Sequence, residues 1–370
     1  MARSKFSSFL LIFGLAFSAH GVENNHIEYD GLSYEVISEG EHTVSVTGYL
    51  GEKFTEKPKT VIVPATITVG NTQYTVTAIG DEAFHECRDI TDLTVPETIT
   101  EIGDYAFSYC VSLKEMHIPA SVKSIGKGLF QDCWSLSGID IPEGLTEIPD
   151  DMYHACDKLE KITIPASITR IGMSAFGNCV GLKEIIFPET LKEIDDLAFI
   201  NCRKLQAVTL PSSLVKLGSM VFSDDENIES LSLPASLGSI GIGAFYNCRS
   251  LKTIYSWAPN PPVLKKEWHP VGGDPDLYPV HSVFGNVPAD AVVYVPAGSL
   301  DLYKEDGEWN NCFSDFREMR GSGINDVITE TGETGARYYN LNGVCLPGVP
   351  SEAGMYVKHC DGKNSKVIVR

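Results

Sequence analysis

Seven of the ten cysteines, Cys87, Cys110, Cys133, Cys156, Cys179, Cys202 and Cys248, fall on one register of 23 residues, and Asp225 fills the single vacant place. Pro96, Pro119, Pro142, Pro165, Pro188, Pro211 and Pro234 keep the same period. So do Phe84, Phe107, Phe130, Phe176, Phe199, Phe222 and Phe245, with Tyr153 in the remaining aromatic place. A fixed period of this length means one supersecondary unit that repeats and stacks on itself. A solenoid lengthens by adding turns, so 370 residues can share one elongated core instead of dividing into domains of about 150 residues.

One turn runs from Leu113 to Ser135. Leu113, Met116 and Ile118 give the alternation of a short strand, and Pro119 ends it by removing a backbone donor. In the second half of the turn Val122, Ile125, Phe130 and Cys133 point inward, and Gly126 follows Ile125 where a tight bend is expected. Gly80, Gly103, Gly172, Gly218 and Gly241 recur at that place, with Pro149 and Asp195 as the exceptions. A single turn cannot cover its own apolar faces, so equivalent residues must stack into ladders of Leu, Ile, Phe and Cys. Eight turns at a strand spacing of about 4.8 Å predict a parallel sheet roughly 34 Å long on one side of the solenoid.

These turns resemble the BspA-like family of leucine-rich repeats, in which a strand ending in Ile-Pro precedes an Ile-Gly-x-x-Ala-Phe-x-x-Cys segment. Ile102, Gly103, Ala106, Phe107 and Cys110 match that segment, as do Ile171, Gly172, Ala175, Phe176 and Cys179. The likeness covers Ile79 to Tyr255. It implies a curved leucine-rich repeat solenoid on an exported bacterial protein, of a kind often associated with surface attachment.

The flanks read differently. Residues 1–21 have Arg3 and Lys5 ahead of a short apolar run from Phe9 to Phe17, then Ala16, Ser18, Ala19 and Gly21, which is the pattern of a cleaved export signal. A buried helix would need a polar face that the run lacks. Residues 22–78 are expected to form a β-rich cap: Tyr34–Val46 alternates, Val61-Ile62-Val63-Pro64 looks like a strand, and Gly70-Asn71 marks a hairpin between Ile67 and Val76. The regular solenoid occupies 79–256. Residues 257–320 read as a C-terminal cap carrying a Pro/Gly-rich insertion, with Ala291–Pro296 as the last strand and Tyr303, Trp309 and Phe313 as apolar cover. A linker at 321–335 leads to a small β tail at 336–370, with strands at Tyr338–Gly343, Gly354–Lys358 and Lys366–Arg370, similar to the sorting or attachment segments of exported Bacteroidetes proteins.

The formal charge of -20 becomes -22 without Arg3 and Lys5, which disfavours polyphosphate backbones and anionic lipid surfaces. Nucleic acid is therefore not an expected partner, and no transmembrane segment is expected in the mature chain. Stacked cysteines point the same way, with Cβ atoms about 4.8 Å apart where a disulfide prefers about 3.8 Å, so free buried thiols are expected. Cys345 and Cys360, on or near neighbouring tail strands, form a better candidate pair. Asp225 is expected to open its turn to water, with a bound cation as the alternative, because burying it unpaired is costly. Asp274 with Asp276, Asp224–Glu226, and His269 with His281 are the best acidic and histidine clusters, and each reads as a solvated loop, so neither metal nor cofactor is expected.

No nucleophile elbow, zinc-binding His-Glu-x-x-His helix, phosphate loop or dinucleotide motif is present. The adjacent acids Asp150-Asp151 and Asp195-Asp196 do not face one another as a glycosidase pair must. A non-enzymatic role follows. The outward strand positions vary while the inward ones do not: Thr94, His117, Asp140, Thr163, Ile186, Thr209, Ser232 and Tyr255 form one stripe, and Lys114, Glu160, Lys183, Gln206, Glu229 and Lys252 a second. Residues His117 to Tyr255 of the first stripe, with Trp257, are the candidate ligand-binding set. The expected function is surface-exposed binding or adhesion to a protein of a host or neighbouring cell through this face; the alternatives are glycan binding, in which Tyr255, Trp257 and Trp268 stack on a sugar, and a structural spacer.

Overall fold

The computed structural model describes residues 25–51, 59–266 and 282–319, together with the backbone of the tail strands between 337 and 369. The export signal, the linker, Trp268, His269, Asp274, Asp276 and His281 lie outside the described residues.

Each turn of the solenoid has three sides. The first carries the expected strand, and successive strands pair in parallel into sheets of four, two and five strands, from Lys59–Ile62 through Glu115–His117 to Asp315–Glu318. The Val61 segment is thus the first rung, and Asp315–Glu318 adds a rung beyond Val292–Val295, which sequence reading took as the last. No Pro follows Glu318 to mark it. Alternation along each strand buries Met116 and Ile118 and leaves Glu115 and His117 outside.

The second side is a ladder that sequence analysis did not foresee. Two-residue strands such as Glu101–Ile102, Ser124–Ile125, Arg170–Ile171 and Lys216–Leu217 pair in parallel immediately before the recurrent glycine, and Glu147–Ile148 does so before Pro149. These glycines do not serve the tight bend expected of them; none of Gly80, Gly103, Gly126, Gly172, Gly218 and Gly241 has a positive φ. They allow backbone to lie on backbone: a Cβ on Gly126 would stand 2.4 Å from the Asp104 nitrogen, and one on Gly218 2.6 Å from that of Asp196. The following aspartates fasten the turns. The Asp104 carboxylate accepts from the Lys127 N–H at 3.0 Å, Asp150 from Met173 at 2.8 Å, and Asp196 from Ser219 at 2.7 Å.

The third side carries the aromatic and cysteine rows. Alternate residues donate along the axis to the next turn, as in Glu82 to Asp104, Phe84 to Ala106 and Glu86 to Ser108. Two left-handed residues per turn make this possible, for example Ser174 with Asn178 and Leu197 with Asn201. The rings form one column: Tyr153, Phe176, Phe199 and Phe222 stack at 5.3, 5.2 and 5.4 Å between centroids. At the far end Phe284 stacks on Phe245 at 5.4 Å, across a turn lengthened to 39 residues by the insertion.

The Gly70-Asn71 hairpin forms as expected, between Thr66–Val69 and Thr72–Ile79. Thr72–Ile79 then pairs in parallel with both Thr43–Tyr49 and Glu101–Ile102, joining the antiparallel N-terminal strands to the second ladder. At the other end two short helices, α1 (Leu300–Glu305) and α2 (Gly307–Cys312), bury Tyr303, Trp309 and Phe313 over the last turn. Trp309 donates to the Pro262 carbonyl at 2.9 Å and Tyr303 to that of Ala258 at 3.0 Å. The tail is a four-stranded sheet with Arg337–Asn340 between Cys345–Leu346 and Gly354–Cys360. Cys345 and Cys360 are therefore on strands separated by a third, about 10 Å apart, beyond the reach of a bridge.

A face of hydroxyls, rings and paired charge

The strand pairing places the candidate residues in one line. His117 is opposite Asp140, Thr163 opposite Ile186, Thr209 opposite Ser232, and Ser232 opposite Tyr255. His117 and Thr163 are exposed, while Ile186, Thr209 and Ser232 are half-buried. Asp140 holds its register position, and its side chain lies outside the described residues. The line extends at both ends to residues that sequence reasoning missed: Ile62 before Thr94, then Tyr294 and Arg317 after Tyr255. Tyr294 was legible, since it stands two places before Pro296 as His117 does before Pro119. Arg317 was not, because its strand carries no proline.

Four of these side chains make a continuous patch. Tyr255 and Tyr294 stack at 5.2 Å with planes 19° apart. Trp257 donates its indole N–H to the Ser232 hydroxyl at 3.0 Å, which lays the ring along the line next to Tyr255. Tyr255 and Trp257 are 38% and 39% exposed. Arg317 is held by two bonds to Asp315, at 2.9 and 2.6 Å, and that carboxylate, with a smaller contribution from the Tyr294 hydroxyl, keeps the guanidinium firmly charged. Partial burial pushes the Tyr255 phenol up, with a further push from Tyr294, so it remains a neutral hydroxyl.

The flanking rows are electrically closed between Thr163 and Tyr294. Lys183 bonds Glu160 at 2.7 Å, Lys161 bonds Glu184 at 2.9 Å, and Lys252 pairs with Glu229 at 3.4 Å. Six charges cancel in pairs on a chain that carries -20 overall. What this stretch offers a partner is hydroxyl, methyl and ring surface.

The acidic pairs have structural work elsewhere. Asp150 and Asp196 accept backbone N–H groups of the next turn, and Asp195 bridges Arg170 at 2.6 Å and Lys216 at 2.7 Å. Burial pushes Asp151 up, which the His154 imidazole partly opposes. Among the described residues no three His, Cys, Asp or Glu side chains converge as a metal site, and no helix is long and apolar enough to cross a membrane. The expectation for Asp225 is overturned: its side chain is fully buried, because the column of rings and thiols continues on both sides of it without a gap.

Comparison with known proteins agrees with this architecture. No curated protein matches the chain. A leucine-rich repeat protein from Bacteroides ovatus is similar in structure, with 25% identity and a TM-score of 0.55 over 79% of this chain and 76% of that one. A leucine-rich repeat protein of T. pallidum shows 27% identity and a TM-score of 0.45 over 60% and 88% of the two chains. A leucine rich cell surface protein from Faecalibacterium prausnitzii shows 20% identity and a TM-score of 0.49 over 80% and 94%. The family model of the BspA type leucine rich repeat region matches six copies, over residues 66–179 and 146–260. With that match spanning more than half its length and the turns stacked as a parallel solenoid, the chain belongs to the BspA-type leucine-rich repeat family.

Proposed function

We propose that this protein is a non-enzymatic binding protein, exported to the bacterial cell surface, that recognises a protein partner through the strand face of its solenoid. The export reading rests on the segment from Arg3 to Gly21. The observation that carries the binding reading is the patch of Tyr255, Tyr294 and Arg317, aligned on one register row, with Trp257 bonded to Ser232 of that row and paired charges at its border. Trp, Tyr and Arg are the side chains that dominate protein-binding hot spots, and a rigid row of them loses little entropy on association. A glycan platform needs an open ring face. Here Tyr255 and Tyr294 cover one face of each other, while their outer faces look along the row toward the rungs of Ser232 and Arg317. Ring edges and hydroxyls are left outward, which suits a polypeptide better than a sugar.

The test is binding of the chain from Val22 onward to an array of extracellular-matrix proteins and glycans, with Tyr255→Ala, Tyr294→Ala and the distant Lys123→Ala compared. A protein hit that weakens about 30-fold or more in either tyrosine variant and is unchanged in Lys123→Ala supports the proposal. Because the flanking charges are already paired, affinity should vary less than about threefold between 50 and 500 mM salt. Glycan hits alone would favour the sugar reading. A folded protein with no hits would favour a spacer.

A further inference from the structure

Asp225 interrupts the cysteine row without interrupting the core. Its side chain is 0% exposed, and neither carboxyl oxygen has a hydrogen-bond partner. The turns on either side show what this position does. Cys179 donates its thiol to the Tyr153 carbonyl at 3.1 Å, Cys202 to that of Phe176 at 3.3 Å, and Cys248 to that of Phe222 at 3.3 Å, always 26 residues back. The same step from 225 leads to the Phe199 carbonyl. A carboxylate set against a carbonyl presents two acceptors with no proton between them, whereas a carboxylic acid has one O–H to give.

The surrounding groups point the same way. Burial holds the Cys202 and Cys248 thiols, its neighbours in the row, uncharged. The charge that acts on it is Asp224, whose carboxylate accepts from Asn247 Nδ2 at 2.6 Å and from the Ser223 hydroxyl at 3.1 Å, and it repels a second negative charge. The Cys202 backbone N–H favours the ionised form but makes no hydrogen bond of ordinary geometry with it. No cation acts on Asp225 among the described residues.

We infer that Asp225 occupies the core as a neutral carboxylic acid whose hydroxyl donates to the Phe199 carbonyl, making this turn a pH-sensitive joint in the thiol row. In the unfolded chain an aspartate gives up its proton near 3.8, and burial holds the folded group protonated far above that. The folded state therefore binds more protons across the interval. Stability is whole below about pH 3.8 and declines as pH rises, with the unfolding constant growing up to tenfold per pH unit until the folded group itself ionises. An exported protein with this device is most secure in mildly acidic surroundings.

The experiment compares urea unfolding of the full chain with that of Asp225→Cys, which restores the thiol donor used by the neighbouring turns, at pH 5 and pH 8. Other titrating groups are common to both proteins and cancel in the comparison. The native unfolding constant, taken relative to the variant, should rise at least a hundredfold between the two pH values. A change under threefold would overturn the inference. The infrared spectrum of the folded native chain at pH 7 gives a direct reading: the carbonyl band of a buried protonated carboxyl group is expected, and its absence overturns the inference without any variant having to be stable.

Discussion

Gly126→Ala distinguishes two reasons for a recurrent glycine. If the residue were there for a left-handed bend, alanine would cost about 1 kcal/mol. The structure requires more. The added Cβ would lie 2.4 Å from the Asp104 nitrogen and 2.6 Å from the Gly103 carbonyl carbon, both in backbone that cannot rotate away. Ordinary contact begins near 3.4 Å, so the two turns must separate locally by about 1 Å. That stretches the bond from the Gly126 N–H to Ile102, now 2.8 Å, and the one from Lys127 to Asp104, now 3.0 Å. Losing two such bonds costs about 0.5–1.5 kcal/mol each, and the overpacking itself adds about 1–3 kcal/mol. The expected loss is about 2–6 kcal/mol in urea unfolding followed by circular dichroism. Gly238 is the control: nothing lies within 4 Å of its Cβ position, and its φ is not positive, so Gly238→Ala should be neutral or stabilising by about 0.4–1 kcal/mol. Equal effects at the two positions would refute the close-approach argument.

Phe176→Ala removes a fully buried ring whose two faces meet Tyr153 and Phe199, and should cost about 3–5 kcal/mol, with hydrogen-exchange protection falling first in the adjacent turns; a loss under 1 kcal/mol would show that the column contributes little. The row thiols should resist a thiol reagent at pH 8 until the chain unfolds, while the half-buried Cys312 reacts sooner. Burial pushes Cys179 up to about 12, against about 9 unfolded, so this thiol favours the folded state below pH 9 and the advantage is lost as pH rises toward 12. Unfolding midpoints measured from pH 8 to 11 should therefore fall, and Cys179→Ala should flatten the descent.

What a stacked turn writes repeatedly is legible from one sequence, because each inward residue must match the residue above and below it. The rows of Leu, Ile, Phe and Cys, the strand before each proline and the outward stripe all come from that constraint. The second ladder was hidden because two residues are too few to show an alternation, even though Glu-Ile or a close relative precedes glycine in turn after turn. The purpose of the glycines was misjudged since a bend and a close approach select the same residue. Asp225 was misplaced for another reason: a transfer penalty argues against burying an anion, but the continuity of packing on both sides decides where the side chain goes, and protonation can remove the penalty. On the strand face, the row of candidates follows from register alone. Tyr294 could be added from its place before Pro296, but Arg317 could not, because the proline-free last strand breaks the spacing that sequence reading relies on.

The N–H groups on the aromatic side give the molecule an electrical direction. Glu82, Phe84 and Glu86 all donate toward the C-terminal end, and their counterparts do the same in later turns. Peptide dipoles on this side therefore add along the axis, in the sense opposite to an α-helix, with bare carbonyls at the N-terminal end and bare amides at the other. The N-terminal strands answer the first with a donor, the Tyr49 N–H bonding the Ala83 carbonyl at 3.1 Å. A cap taken from one end could not be transplanted to the other: the stack has a polarity, and each terminus must be closed by chemistry of the complementary sign.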